Sequence, residues 1–171
     1  MTGTGKTHLA KKIIKNHKRV IIIDDRYEYN DGIIFYSLLD LLEYIGTNDN
    51  QFVYICRFDN IVDIEYLFKL TFEIGNLLLV IEECYQYIDV RARNSFFIDY
   101  LVNRGRHREI SLLLILQRIP DLNVSVRAQI NELYIFKQVN PYDIEKLKPY
   151  GIETNNLKSL GTGEYKYLTY N

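Results

Sequence analysis

The first residues of the chain have the pattern of a phosphate-binding loop. The last positions of the pattern G-x-x-x-x-G-K-S/T are occupied by Thr2, Gly3, Thr4, Gly5, Lys6 and Thr7. Glycines let backbone N–H groups turn toward phosphate oxygens, and the helix that follows adds partial positive charge at its N-terminus. Lys6 would reach the β- and γ-phosphates, and Thr7 would bind Mg²⁺. The pattern predicts ATP and Mg²⁺ binding; a glycine-rich turn that only caps a helix is the structural alternative.

Two adjacent acids end an apolar run further along the chain. Glu82 and Glu83 follow the run Leu-Leu-Leu-Val-Ile at 77–81. A buried parallel strand carries such side chains to its carboxyl end, where open α/β sheets bind ligands. There Glu82 would hold Mg²⁺ through its water shell, and Glu83 would polarise the attacking water. Two acids can simply end a strand, but together with the phosphate loop they predict hydrolysis.

A polar residue follows a second apolar run. The stretch at 110–116 ends at Gln117. At the tip of a neighbouring strand, its amide would contact the γ-phosphate or the lytic water. Without that role, Gln117 is the first solvated residue after a strand.

A basic cluster precedes the same stretch. It contains Arg104, Arg106 and Arg108, with Arg91 and Arg93 upstream. The planar fork of arginine suits phosphate groups. Three interpretations stay open: an arginine finger that reaches a neighbouring subunit's nucleotide, a contact to a DNA backbone, or cations at a solvated helix C-terminus.

Helical and strand-like segments alternate along the chain. Helices are predicted at 6–16, 37–45, 61–74, 94–103 and 141–147, and strands at 19–24, 51–58, 77–82, 110–117, 132–139 and 164–169. We expect Leu9, Ala10 and Ile13 to form the apolar side of the first helix, and Ser37 to cap the second. The alternation predicts an α/β fold with a parallel sheet covered on both faces.

Length and composition limit the possible functions. The 171 residues suit one domain, with 47% hydrophobic and 25% charged residues. A net charge of −1 gives no global attraction to nucleic acid or anionic membrane, so such contacts need a local patch. No apolar run approaches the roughly 18 residues of a membrane span. Cys56 and Cys84 have no paired spacing and are predicted to be core thiols. We expect a cytoplasmic protein.

These motifs together resemble the FtsK–HerA superfamily of P-loop motor ATPases, which includes DNA translocases, conjugation ATPases and viral genome-packaging ATPases. The likeness is carried by TGTGKT, RVIIIDDRYEY, LLLVIEEC and RGRHREISLLLILQRIPDLNVSVRAQINELYIFK. The resemblance implies a three-layer α/β/α sandwich, a ring-shaped homo-oligomer and DNA as partner. If the protein is viral, its location would be the host cytoplasm. By the same likeness Glu83 is the catalytic base and Gln117 the sensor. The arginine finger would be one of Arg104, Arg106, Arg108 and Arg127.

The chain departs from the family pattern at two points. The family usually has Asp where this chain has Glu82, and the longer side chain is expected to alter the Mg²⁺ geometry. The strand that precedes the phosphate loop, central in the family's sheet, is also absent from 1–171. At roughly 1.5–3 kcal/mol per buried side chain, such a strand contributes about 10 kcal/mol, comparable with the stability of a whole domain. We therefore expect an N-terminally truncated single domain.

The favoured hypothesis is an ATP-hydrolysing motor that translocates DNA or packages a viral or phage genome. Two alternatives remain. An AAA+-type helicase-loader ATPase would be favoured by an additional C-terminal helical lid. A nucleotide-binding interaction module would bind ATP without turnover.

Overall fold

A five-stranded parallel sheet forms the centre of the molecule. The computed structural model describes residues 3–45, 50–88, 96–118 and 124–170, so Thr2, Arg91 and Arg93 lie outside the described residues. The strands, in the order β2-β3-β1-β4-β5 across the sheet, are β1 (Arg19–Ile23), β2 (Ile33–Phe35), β3 (Phe52–Cys56), β4 (Leu77–Ile81) and β5 (Ile110–Leu114). All four ladders between them are parallel. The predicted α/β class with a mainly parallel sheet is confirmed.

Helices connect the strands and cover the sheet. They are α1 (Lys6–Ile14), α2 (Leu38–Tyr44), α3 (Ile61–Ile74), α4 (Phe96–Arg104), α5 (Val124–Arg127) and α6 (Pro141–Leu147). The predicted cap of α2 is confirmed, because the Ser37 side chain accepts a hydrogen bond from the Asp40 N–H. Asn60 and Asn140 cap α3 and α6 in the same way. No helix in the described ranges is both long and apolar enough to cross a membrane.

Alternating side chains of the central strands enter two different apolar layers. Ile21 and Ile23 of β1 pack with α3 and α4, whereas Val20 and Ile22 pack with α1. Every residue of β4 is buried. A strand buried on both faces needs apolar residues at every position, which explains the continuous runs in the sequence. Packing between these layers holds the carboxyl ends of β1 and β4 side by side at one edge of the sheet.

The last two strands depart from the simple parallel pattern. β6 (Glu132–Phe136) pairs with β7 (Tyr165–Thr169) in an antiparallel sheet of their own. An open cleft lies between β5 and β6, and Leu9 and Ile13 of α1 line it. These two side chains are therefore only half-buried, although the sequence predicts a packed apolar face. The short strand β2 and the short helix α5 were not predicted.

Both cysteines lie in the core, as predicted. Cys56 and Cys84 are fully buried and free. Burial raises the pKa of each thiol above its ordinary value, so neither is a reactive thiolate.

Candidate active site

The phosphate loop has a backbone that only glycine accommodates. Gly3 and Gly5 have φ of 89° and 99°. A Cβ on Gly5 would lie 2.7 Å from the Cα of Gly163, in the loop before β7. The Gly163 N–H donates a 2.9 Å hydrogen bond to the Thr4 carbonyl. The chain just before β7 therefore packs against the phosphate loop and is hydrogen-bonded to it.

A hydroxyl and a carboxylate meet beside this loop. Thr7 Oγ1 lies 3.5 Å from Glu82 Oε1, at the carboxyl end of β4. Magnesium ions take oxygen ligands from one or two protein side chains and keep several waters. The donor set therefore fits Mg²⁺ with Thr7 as ligand and Glu82 in or near its shell.

A tyrosine that the sequence did not single out holds Glu82. The Tyr29 hydroxyl donates a 2.7 Å hydrogen bond to Glu82 Oε1, and both side chains are buried. Burial raises the pKa of Glu82, the Tyr29 hydrogen bond opposes that rise, and the nearby Glu83 charge adds to it. Burial and the charge of Glu82 raise the pKa of Tyr29, which therefore remains protonated and acts as the donor.

Tyr29 is in turn positioned by a buried ion pair. Arg57 donates to Asp24 Oδ2 from two nitrogens, at 3.1 and 3.0 Å. The Asp24 carboxylate also accepts the backbone N–H groups of Glu28 and Tyr29, and Arg57 donates to the Tyr29 carbonyl. These bonds fix the loop after β1 in the conformation that brings the phenol to Glu82.

Replacing Tyr29 with Phe is expected to raise the Mg²⁺ concentration needed for half-maximal nucleotide binding by about 10- to 100-fold. The reason is that partners of metal-site ligands typically contribute that much to metal affinity. Mg²⁺ titrations of nucleotide binding give the measurement. Tyr27→Phe is the matched control, because the exposed Tyr27 ring lies over Arg57 and the change keeps that ring. The same Mg²⁺ dependence in Tyr29→Phe and the control would contradict this role.

Glu83 and Gln117 meet at the carboxyl edge of the sheet. Gln117 Nε2 donates a 3.0 Å hydrogen bond to Glu83 Oε1, and Arg26 NH2 lies 3.8 Å from the same oxygen. Glu83 Oε2 is buried and has no hydrogen-bond partner among the described residues. Glu83 also has a left-handed backbone, with φ 47° and ψ 46°. Uncommon backbone conformations of this kind cluster at functional sites.

Three of the four predicted arginines lie at the other end of β5. Arg104, Arg106 and Arg108 precede β5, so they lie at the amino edge of the sheet, about 16 Å along a five-residue strand from the carboxyl edge. Arg108 donates to the carbonyls of Phe72 and Glu73 at the end of α3, whereas Arg104 and Arg106 are exposed. The Nε atom of Arg127 is buried without a hydrogen-bond partner among the described residues.

Three other charged residues at the carboxyl edge were not predicted. Arg26 and Arg57 are described above, and Arg118 forms a two-pronged pair with Asp143 of α6, at 2.9 to 3.1 Å. Arg118 directly follows Gln117, so its position just after a predicted strand was the sequence feature that could have placed it at this edge. Nothing local in the sequence pairs Arg57 with Asp24, 33 residues away.

The chain shares its fold with proteins of known structure. No family model matches the chain. The genome-packaging NTPase B204 of Sulfolobus turreted icosahedral virus 2, solved with AMPPCP, superimposes with a TM-score of 0.78 and 21% identity. The match covers 98% of this chain and 88% of that one. The N-terminal domain of zonular occludens toxin from Neisseria meningitidis gives a TM-score of 0.52 at 14% identity, covering 100% of this chain and 90% of that one.

One curated protein is similar in sequence. A probable helicase of Methanocaldococcus jannaschii is 31% identical over 113 residues, which cover 62% of this chain. The aligned region spans about a fifth of the helicase's length (21%). The structural neighbours confirm, at the level of fold, the resemblance found in the sequence: the chain has the P-loop NTPase fold of the viral genome-packaging NTPases.

Proposed function

We propose that this chain is an ATP-binding and ATP-hydrolysing motor domain that acts on DNA, in genome packaging or translocation. The observation that carries the proposal is the Glu83 carboxylate. Gln117 holds one of its oxygens at 3.0 Å, while the other is buried without a partner in the described part of the chain. A buried carboxylate oxygen left open beside a phosphate loop suits a general base.

Each site residue then has a role in hydrolysis. The loop N–H groups and Lys6 bind the β- and γ-phosphates, and Thr7 with Glu82 holds Mg²⁺. When bound, that ion neutralises charge on the phosphate oxygens. Glu83 takes a proton from a water molecule as the water oxygen bonds to the γ-phosphorus, and the bond to the ADP oxygen breaks. Gln117 orients Glu83 and that water.

The DNA partner and the oligomer rest on more indirect support. The structural neighbour B204 is described as a genome-packaging NTPase, and the sequence relative as a probable helicase. With a net charge of −1, DNA contact needs a local basic patch, and Arg104 and Arg106 are exposed at the amino edge. They lie at the opposite end of β5 from Gln117, and we propose that they contact DNA or the nucleotide of the next subunit in a homo-oligomeric ring.

Lys6→Ala tests nucleotide binding. We expect it to weaken ATP affinity by at least 10-fold, because a hydrogen bond to a charged group is worth about 1.5–3 kcal/mol. Lys12→Ala is the control, since Lys12 is an exposed lysine on the same helix. Fluorescent-nucleotide titration measures both. Equal affinities of the two variants would overturn the assignment of the loop.

Double-stranded DNA tests the motor. We expect it to raise the rate of phosphate release, with an effect that declines as salt rises. ATP binding without phosphate release would instead identify a nucleotide-binding interaction module. Phosphate release that DNA leaves unchanged would identify an ATPase of another kind, such as a helicase loader.

A further inference from the structure

Four aromatic side chains lie on one face of the sheet that β6 and β7 form. Tyr134 is opposite Tyr167 across the ladder, and Phe136 is opposite Tyr165. The ring centroids are 4.8 Å apart in the first pair and 5.5 Å apart in the second. Tyr134 and Tyr165, on neighbouring pairs, are also 5.5 Å apart. These distances are those of rings in contact, so the four side chains form one continuous surface, the aromatic face.

The core of this part of the molecule lies on the opposite face of the same two strands. Leu133, Ile135 and Leu168 alternate with the aromatic residues and pack in an apolar cluster with α6. On the aromatic face, Tyr165 is 42% exposed and Tyr167 is 50% exposed. Large apolar side chains that are exposed side by side commonly mark a binding surface. The aromatic face therefore has the character of a site for a planar ligand.

The aromatic face begins at the phosphate loop. A Cβ on Gly5 would lie 3.4 Å from Cε1 of the Phe136 ring, so this ring is in contact with the loop. Gly163, whose N–H donates to the Thr4 carbonyl, comes two residues before Tyr165 in the chain. Phe136 is buried, which makes Tyr165 the exposed ring of the pair that adjoins the loop.

This continuity identifies the occupant. In a nucleoside triphosphate, the ribose and the α-phosphate join the base to the β- and γ-phosphates, so the base of a bound nucleotide must lie on a surface close to the loop. Bases stack on aromatic side chains, and every base offers a flat face for stacking. We propose that the aromatic face, at Tyr165, binds the purine base of the nucleotide whose phosphates occupy the loop. The inference rests on the proposed nucleotide binding and adds that stacking recognises the base.

Tyr165→Ala tests this inference. Tyr165→Phe keeps the ring, and Tyr142→Ala is the matched control, because Tyr142 is an exposed tyrosine on α6. Isothermal titration calorimetry with Mg²⁺ present measures the affinity of each variant for ATP, GTP and inorganic tripolyphosphate. Tripolyphosphate has no base and reports the phosphate loop alone. Cross-strand aromatic pairs also stabilise a sheet, and a loop disturbed by the loss of such a pair would weaken all three ligands.

We expect Tyr165→Ala to weaken the binding of ATP and GTP alike, by about 5- to 100-fold, and to change tripolyphosphate affinity by less than about 2-fold. Tyr165→Phe and Tyr142→Ala should bind all three ligands as the unmodified chain does. Equal ATP affinities in Tyr165→Ala and the control would overturn the inference, and so would equal losses for ATP and tripolyphosphate.

Two further outcomes have distinct meanings. Unchanged ATP affinity in Tyr165→Ala, with weaker binding of a labelled oligothymidylate, would assign the aromatic face to single-stranded nucleic acid and overturn the inference. An unmodified chain that binds neither ATP nor tripolyphosphate would overturn the proposed function, and this inference with it. Binding of both ligands by the unmodified chain, with no selective loss of ATP in Tyr165→Ala, would overturn the inference alone.

Discussion

Glu83→Gln is expected to lower ATP turnover by about 100- to 10,000-fold while nucleotide affinity changes little. That range is the usual contribution of a positioned general base. The glutamine side chain keeps the shape of Glu83 and an oxygen that can accept the 3.0 Å hydrogen bond from Gln117, but it cannot take a proton from water. Phosphate release measures turnover, and titration with a fluorescent nucleotide measures affinity.

Glu73→Gln is the control for this change. Glu73 is an exposed glutamate on α3, where it pairs with Lys69 four residues earlier, and we expect its replacement to leave turnover unaltered. Full turnover in the Glu83→Gln variant would show that another residue is the general base. A loss of ATP affinity as large as the loss of turnover would mean that Glu83 supports the loop rather than the chemistry.

Arg57→Ala is expected to lower the free energy of unfolding by about 3–5 kcal/mol. The Asp24 side chain is fully inaccessible and that of Arg57 is 6% exposed. Removing one partner of such a pair leaves an uncompensated charge in the interior. Urea denaturation measures the loss.

Arg26→Ala provides the comparison. The Arg26 side chain is 53% exposed and lies 3.8 Å from Glu83 Oε1, so we expect its loss to change stability by less than about 1 kcal/mol. Similar losses in the two variants would show that burial does not set the contribution of Arg57. Because the Arg57–Asp24 ion pair also positions Tyr29, the Arg57→Ala variant should need more Mg²⁺ to bind nucleotide.

The sequence predicted the features that depend on local pattern. Continuous apolar runs located β1 and β4, because strands buried on both faces need apolar residues throughout, and a similar run located the partly exposed β5. The carboxyl ends of parallel strands lie at one edge of a sheet, so Glu83 and Gln117 were expected to be neighbours. Gln117 Nε2 lies 3.0 Å from Glu83 Oε1. Whether these residues hydrolyse ATP stays a prediction that the variants above address.

The remaining features depend on contacts between distant segments. Tyr29 reaches Glu82 only because Arg57 and Asp24 fix the intervening loop, and no periodicity encodes that pairing. The sequence pattern predicts β6 as one more strand of the parallel sheet, yet β6 pairs with β7 in antiparallel orientation. The half-buried Leu9 and Ile13 could not be predicted either, since their exposure reflects the open cleft and not their own helix.

The left-handed backbone of Glu83 places two selective pressures in opposition. Holding a residue other than glycine at φ 47° costs about 1–3 kcal/mol, and a glycine would relieve that strain. The same change would remove the carboxylate. Selection for a stable fold alone therefore favours the loss of Glu83, whereas selection for turnover would retain it in its proposed role as general base. In a lineage that no longer needed ATP hydrolysis, we would expect this position to diverge before the buried Glu82.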